Sequence, residues 1–407
     1  MACNQLNTIL LGGRKGKDGK YPTQRQILFS PVGKLVADAL PAQCQLVYVR
    51  QQSENELEGV TSLVCPDDAD FTQMLSTAID GMTGDVMVLS TPMPEVVEEE
   101  YQSVMQLHET SQNAVTMLTC GAMADHWHCA VYRVEVLREI LSHHPLSLTQ
   151  SIQIANAISA KTESCRTESH VPVYTACDAY RAQKTLQRRV NGALMDRGVN
   201  ILDPEYTYIS PYSEIGYDAT ILPGCMIQPG SKVGSGCVIG PNTVLDRATI
   251  GAGTSVNNSQ VYESSVGSHA VVGPFAYIRP GCQVGDHTRI GDFVELKKAQ
   301  IGNDTKVSHL TYIGDATVGE RVNFGCGTVV VNYDGYVKSQ TVIGDDCFIG
   351  CNTNLVAPVT LGDRVLTAAG TTVTKNVPDG AMAVARARQE NKEGWNDRRR
   401  RMHGQDR

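Results

Sequence analysis

The stretch YISPYSEIGYDATILPGCMIQPGSKVGSGCVIGPNTVL, residues 208–245, decides the fold. Ile209, Ile215, Ile221, Ile227, Val233, Ile239 and Leu245 recur in it every six residues without a slip. Neither a helix nor a single strand has that period. The count resumes at Val266, Val272, Ile278, Val284, Ile290 and Leu296, and again at Ile343, Ile349, Leu355 and Leu361, with Gly after many of the marked positions. Such a hexapeptide repeat reads as a parallel β-helix. Six residues make one flat face, three faces close a triangular coil, the marked aliphatic fills the axis, and Gly permits the tight corner. Val330 and Ile343 stand thirteen residues apart instead of twelve, so NYDGYVKSQT (332–341) is expected to leave the coil as a loop. Loops expelled from a regular scaffold are where binding residues collect.

Composition bounds the remainder. At 407 residues the chain should hold two or three domains, and the repeat from about Tyr206 onward accounts for half of it. Net charge is −8 and the pI about 5.7, with one basic run at Arg398, Arg399, Arg400 and Arg401, so global electrostatics gives no argument for nucleic acid. That run reads as a disordered, solvated tail. Thirteen cysteines, scattered and without a CxxC pair, read as reduced thiols of a cytosolic protein. The opening MACNQLNTILLGG lacks a basic region before its apolar run, and no apolar stretch approaches membrane-spanning length, so the expected location is cytoplasmic.

Residues 1 to about 200 alternate strand-like and helix-like segments. Thr8 to Leu11, Gln45 to Val49, Ser62 to Val64, Val86 to Leu89 and Ala114 to Thr119 are short apolar runs, with helical patterns such as Phe71 to Ile79 and Glu95 to His108 between several of them. That predicts an α/β, Rossmann-like domain with a mostly parallel sheet. A linking helix is expected from about Thr175 to Arg197, closed by Gly198, with the β-helix starting just beyond Pro204. The expected organisation is 1–174 for the α/β domain, 175–204 for the linker, 205–378 for the left-handed β-helix and 379–407 for a C-terminal arm and basic tail.

RPGCQVGDHTRIGDFVELKKAQIG, then SHLTYIGDATVGERVNFGCGTVVVNYDG, both within Arg279 to Gly335, and after them IGCNTNLVAPVTLG and AVARARQENKEGW carry a resemblance to one family. The chain is similar, over about 190 to 395, to the acetyltransferase half of the bifunctional glucosamine-1-phosphate acetyltransferase/N-acetylglucosamine-1-phosphate uridyltransferases of bacterial cell-wall precursor synthesis. The resemblance implies a homotrimer with active sites between neighbouring subunits. It implies acetyl transfer from acetyl-CoA to glucosamine 1-phosphate, with His309 as the base and Arg279, Lys297, Tyr312, Asn323 and Lys338 on the sugar phosphate. It places acetyl-CoA against Cys326, Asn332, Tyr333, Cys351, Ala369 and Arg386. These residue types suit the chemistry: an amine attacking a thioester needs a base, and a phosphate dianion needs fixed cations. Cys326 stands where the family often has Ala, and Cys351 where it often has Ser, so an altered coenzyme pocket is expected.

The N-terminal half departs further. Relatives open with a loop resembling LAAGxGTRM, but here the chain reads LLGGRKGKDGKYPTQRQILFSPVGK, keeping Gly12 and Gly13 without GTRM. Pro92, in VMVLSTPMP, stands at the position of a Mg²⁺-binding Asp, and Tyr174 or Cys177 at that of a second ligand, an Asn. CGAMADHWHC (120–129) replaces a longer nucleotide-sugar segment. Mg²⁺ needs oxygen ligands, so the resemblance implies a degenerate nucleotidyltransferase-like domain without its metal. The alternatives are a fully bifunctional enzyme with UTP-dependent uridyltransferase activity, or an N-terminal regulatory or interaction module. His126, His128 and Cys129 lack a second ligand pair at zinc-site spacing and read as an ordinary strand end or loop.

Overall fold

The computed structural model describes residues 5–12, 15–120, 128–167 and 170–405. They form two compact units, one comprising Met1–Asp196 with Tyr208–Tyr212, the other Arg197–Thr207 with Ser213–Arg407.

In the first unit, strands β1 (Leu6–Leu11), β2 (Cys44–Gln51), β3 (Thr61–Cys65), β4 (Asp85–Leu89), β5 (Val115–Cys120), β6 (Cys129–Arg133) and β7 (Thr162–Thr167) build one sheet in the order β3-β2-β1-β4-β6-β5-β7. β6 runs antiparallel to both neighbours and the other pairings are parallel. Alternate side chains of the central strands enter separate cores. Ile9, Leu11, Val86 and Val88 pack with Met74 and Leu75 of α2 (Phe71–Ala78), Leu137 and Ile140 of α4 (Val134–Leu141), and Ile152 of α5 (Leu148–Ala157). Leu10, Met87 and Leu89 face Val36 of α1 (Val32–Asp38) and Tyr101 and Val104 of α3 (Glu98–Ser111). Helices on both faces are what near-continuous apolar strands require, because neither face can be left in water. The helix α6 (Ala176–Asp196) buries Ala179, Ala182 and Leu186 against Ile27, Leu28, Val32 and Val173. Gly198 follows at φ +85°, the left-handed conformation that glycine adopts without a Cβ clash.

The second unit is a left-handed parallel β-helix of hexapeptide repeats. Three parallel ladders define its faces. One runs Ile221–Ile239–Val256–Val272–Ile290–Val307–Phe324–Ile349–Thr367. A second carries Val233–Ile250–Val266–Val284–Ile301–Val318–Ile343–Leu361. The third includes Ile227–Leu245–Val261–Ile278–Leu296–Ile313 and Val330–Leu355–Val373. Nearly all the residues of the six-residue ruler are buried on the axis, Ile215 at the first coil being half-buried. The ruler does not stop at Leu245: Ile250, Val256 and Val261 continue it, with five-residue sides alternating with a six-residue one.

One corner explains the recurrent Gly-Asp and Gly-Asn pairs. Asp286 Oδ1 accepts the Ser268 N–H at 2.6 Å, Asn303 Oδ1 the Asp286 N–H at 2.8 Å, Asp345 Oδ1 the Glu320 N–H at 2.8 Å and Asp363 Oδ1 the Asp345 N–H at 2.9 Å. A Cβ on Gly319 would lie 2.3 Å from Asp345 Oδ1, so the glycine makes room for the side chain that caps its own coil. The expected excursion from the coil is a short hairpin, in which Tyr333 bridges Lys338 and Asp334 Oδ1 accepts the N–H groups of Tyr336 and Val337.

The basic C-terminal run corrects the expectation of a disordered tail. Arg398 to Arg401 lie in an exposed helix, α7 (Trp395–Met402), whose last turn carries Arg399, Arg400 and Arg401. Cations in that position complement the helix dipole. Among the described residues no helix is long and apolar enough to cross a membrane.

Candidate active site

The coil puts residues distant in sequence into columns. Asp292 pairs directly with His309, and the seventeen-residue offset that pairs Lys306 with Asn323 sets Cys326 over His309. The next offsets, Asn323 to Phe348 and Phe348 to Leu366, continue the column through Cys351 to Ala369. Backbone bonds hold it: Gly327 N–H to Leu310 O, Asn352 N–H to Cys326 O and Gly370 N–H to Cys351 O. Arg386 lies beside Gly370, whose added Cβ would meet its Cδ at 3.8 Å. His309 is thus brought together with four of the six residues assigned to the coenzyme.

His309 Nδ1 lies 2.7 Å from Asp292 Oδ1. A carboxylate only accepts, so Nδ1 carries the proton and Nε2 is left as the basic nitrogen. The same bond, before all other causes, holds the Asp292 carboxyl below the usual range, keeping it charged. His309 remains more than half exposed, open to a ligand.

The face beyond this corner carries the cations. Arg279, Lys297 and Gly314 occupy equivalent positions on successive coils. Arg279 Nη1 donates to Glu295 Oε1 at 2.9 Å, which raises the guanidinium pKa and spends one of its donors. Lys297 sits 3.3 Å from Asp315 Oδ2 and next to Lys338. The Lys297 ammonium beside it holds Lys338 below the usual lysine range, while the Asp315 carboxylate favours the charged form of Lys297. Tyr312 is half-buried, and a Cβ on Gly314 would fall 2.3 Å from its hydroxyl and 2.9 Å from Asn332 Nδ2, so this glycine is the space those two groups occupy. Asn332 is buried and donates to Asp315, while Tyr333 stands exposed on the hairpin with its hydroxyl on Gly335 O. Asn323, half-buried, lies on the preceding face.

Sequence reasoning passed over Asp292 and Asp315. The signal was the coil offset: each acid matters through a partner one coil away, seventeen residues from Asp292 to His309 and eighteen from Lys297 to Asp315.

In the first unit β1 ends at Leu11, next to Gly12. Gly12 abuts the buried Glu54, whose Oε2 would lie 1.9 Å from an added Cβ. Glu54 accepts from the Thr23 and Tyr48 hydroxyls, and burial is the main cause that raises its carboxyl pKa. Gly13 lies outside the described residues. At the end of β4, Pro92 O accepts the Val173 N–H, and the Tyr174 hydroxyl lies 2.9 Å from Thr91 Oγ1 and 3.4 Å from His128 Nδ1. Tyr174, not Cys177 on the exposed first turn of α6, therefore neighbours Pro92. Among the described residues no three His, Cys, Asp or Glu side chains are grouped to hold a metal ion. His126 falls outside the described residues, and Cys129 opens β6 with a buried side chain.

Fold and site together define a hexapeptide-repeat transferase. The family described as "Bacterial transferase hexapeptide (six repeats)" matches residues 212–247, 263–298 and 340–375. The chain is 43% identical over 362 residues to the Bifunctional protein GlmU of Clostridium perfringens (strain SM101 / Type A), covering 79% of this chain and 80% of that protein. It is 54% identical over 216 residues to the Bifunctional protein GlmU of Clostridium acetobutylicum, covering 53% of this chain and 47% of the relative. The chain belongs to the GlmU family. Among solved structures, a nucleotidyl transferase from Methanothermobacter thermautotroptrophicus is similar with a TM-score of 0.38 and 12% identity, covering 46% of this chain and 99% of that one.

Proposed function

We propose that this protein is a glucosamine-1-phosphate N-acetyltransferase, moving acetyl from acetyl-CoA to the sugar amine and yielding N-acetylglucosamine 1-phosphate for UDP-N-acetylglucosamine and cell-wall precursor synthesis. The observation that carries the reading is the single column Asp292–His309–Cys326–Cys351–Ala369, flanked on the same coils by Arg279, Lys297 and Lys338. His309 Nε2 takes the amine proton as nitrogen attacks the thioester carbonyl, and Asp292 stabilises the imidazolium. The C–N bond forms as the C–S bond breaks, and His309 can return its proton to the departing coenzyme A thiolate. Arg279 and Lys297 hold the phosphate in ground and transition states alike. Release of free coenzyme A across a panel of amino-sugar phosphates tests the assignment: glucosamine 1-phosphate should be turned over fastest, and preference for another acceptor would overturn it.

The active assembly is proposed to be a homotrimer in the cytoplasm. Phe275 and Phe293 stack on each other 5.5 Å apart at one corner and, with Leu310, leave an apolar ladder that is more than half exposed beside His309. A second copy would cover such a surface. Light scattering at assay concentration should give three times the 44.1 kDa chain mass; a monomer mass would contradict the proposal.

Uridyltransfer is proposed to be lost. Glu54 against Gly12 puts a buried carboxyl beside the end of β1, and among the described residues no three His, Cys, Asp or Glu side chains are grouped to hold a metal ion. Purified protein given UTP, N-acetylglucosamine 1-phosphate and Mg²⁺ should release no pyrophosphate above a blank. Metal-dependent release would restore the bifunctional reading.

A further inference from the structure

Asp315 sits where the residues assigned to the two substrates meet. Its Oδ2 accepts from Lys297 Nζ at 3.3 Å and also from Asn332 Nδ2. The proposed function, on which this inference rests, gives Lys297 and Lys338 to the sugar phosphate and Asn332 to the coenzyme. The pair is well sheltered, with the Lys297 side chain 14% and that of Asp315 20% exposed. Asp315 also occupies a corner with φ +47°, where Gly281 stands two coils earlier.

The role of Asp315 follows from hydrogen-bond chemistry. A carboxylate offers no donor, so Asn332 must turn its NH₂ toward Asp315, and its carbonyl Oδ1 is what remains for a ligand. Carbonyl oxygens bind N–H donors, and the pantetheine arm of acetyl-CoA carries amide N–H groups. On the other side, the carboxylate fixes one of two adjacent ammonium groups that would otherwise repel each other. We propose that Asp315 is a positioning residue for both substrates: it holds the Lys297 ammonium for the sugar phosphate and presents the Asn332 carbonyl to an amide of the coenzyme arm.

Electrostatics adds a readout that a merely structural residue would not move. The groups around the pair are Lys297, Lys338, Lys298, Tyr312 and Asp315 itself. Lys338 lies below the usual lysine range because of Lys297, and the Asp315 charge works against that depression. Without the charge, Lys338 should lose its proton at lower pH. Its attraction for phosphate then fades, so KM for glucosamine 1-phosphate begins to rise at a lower pH than in the unaltered protein.

The experiment compares Asp315→Ala and Asp315→Asn in the full chain, measuring both KM values from pH 6.5 to about 10 and the melting midpoints, a range set to span the lysine titration. Asp315→Ala should raise KM for both substrates by roughly tenfold or more, the usual effect of losing charge-assisted hydrogen bonds. Asp315→Asn keeps a carbonyl acceptor, so KM for acetyl-CoA should return to within about threefold of normal, while the onset of the pH-dependent rise stays displaced. If the alanine variant does not fold, the asparagine variant carries the test through its pH onset. Unchanged KM values in Asp315→Ala, or an unshifted onset in Asp315→Asn, would overturn the inference. Failure of the unaltered protein to acetylate glucosamine 1-phosphate would instead sink the proposed function, so the two failures are distinct.

Discussion

Replacing His309 with alanine is expected to lower kcat by about 10² to 10⁴-fold, the usual worth of a positioned base, while leaving the affinity for acetyl-CoA nearly unchanged. The sugar amine is largely protonated near neutral pH, and an imidazole whose Nδ1–H is held by Asp292 at 2.7 Å offers Nε2 for the proton that must leave. Arg279→Ala should behave differently: it removes a contact made in both ground and transition states, so KM for glucosamine 1-phosphate should rise more than kcat falls. Steady-state kinetics with both substrates varied separates the two. Near-normal kcat in His309→Ala would mean that another base, or the substrate's own phosphate, takes the proton.

The largest effect on stability is expected from the coil axis beneath the site. Leu296 is fully buried, stacked between Ile278 and Ile313, and lies between Glu295 and Lys297, which face outward. Leu296→Ala removes its contacts in a rod that cannot close around the gap without shifting neighbouring coils, so a loss of about 2–5 kcal/mol is expected. Leu296→Met conserves volume and should cost less than about 1.5 kcal/mol. Urea midpoints followed by far-ultraviolet circular dichroism check this, and equal midpoints for the two variants would show that the axis is not close-packed there.

What could be read from the chain follows from where each signal lies. The β-helix was legible because an axial aliphatic every six residues is imposed by the coil itself, and deviations such as Ile250 and Val261 were lost because a five-residue side falls off a six-residue ruler. In the first unit the buried central strands declared themselves as apolar runs. β7, with the sequence TESCRT at the sheet edge, has no such run because one flank is unpaired. β6 lay next to residues whose pattern reads as loop, and the short helices α4 and α5 did not stand out from it. The arginine run read as tail because charge predicts solvation, which is correct, and says little about backbone conformation. His309, Arg279 and Lys297 stood out as candidates from local motif. Asp292 and Asp315 were not, since each acts on a partner seventeen or eighteen residues away through coil register rather than through neighbours in sequence.

The central claim is that chemistry takes place on the corner where His309 and Cys326 are stacked. A crystal structure of the protein with coenzyme A and glucosamine 1-phosphate tests it most directly. The sugar nitrogen is expected within about 2.6–3.2 Å of His309 Nε2, the coenzyme sulfur beside Cys326, and the phosphate on Arg279 and Lys297. A sugar phosphate bound on another face of the coil, with His309 facing only solvent, would contradict it.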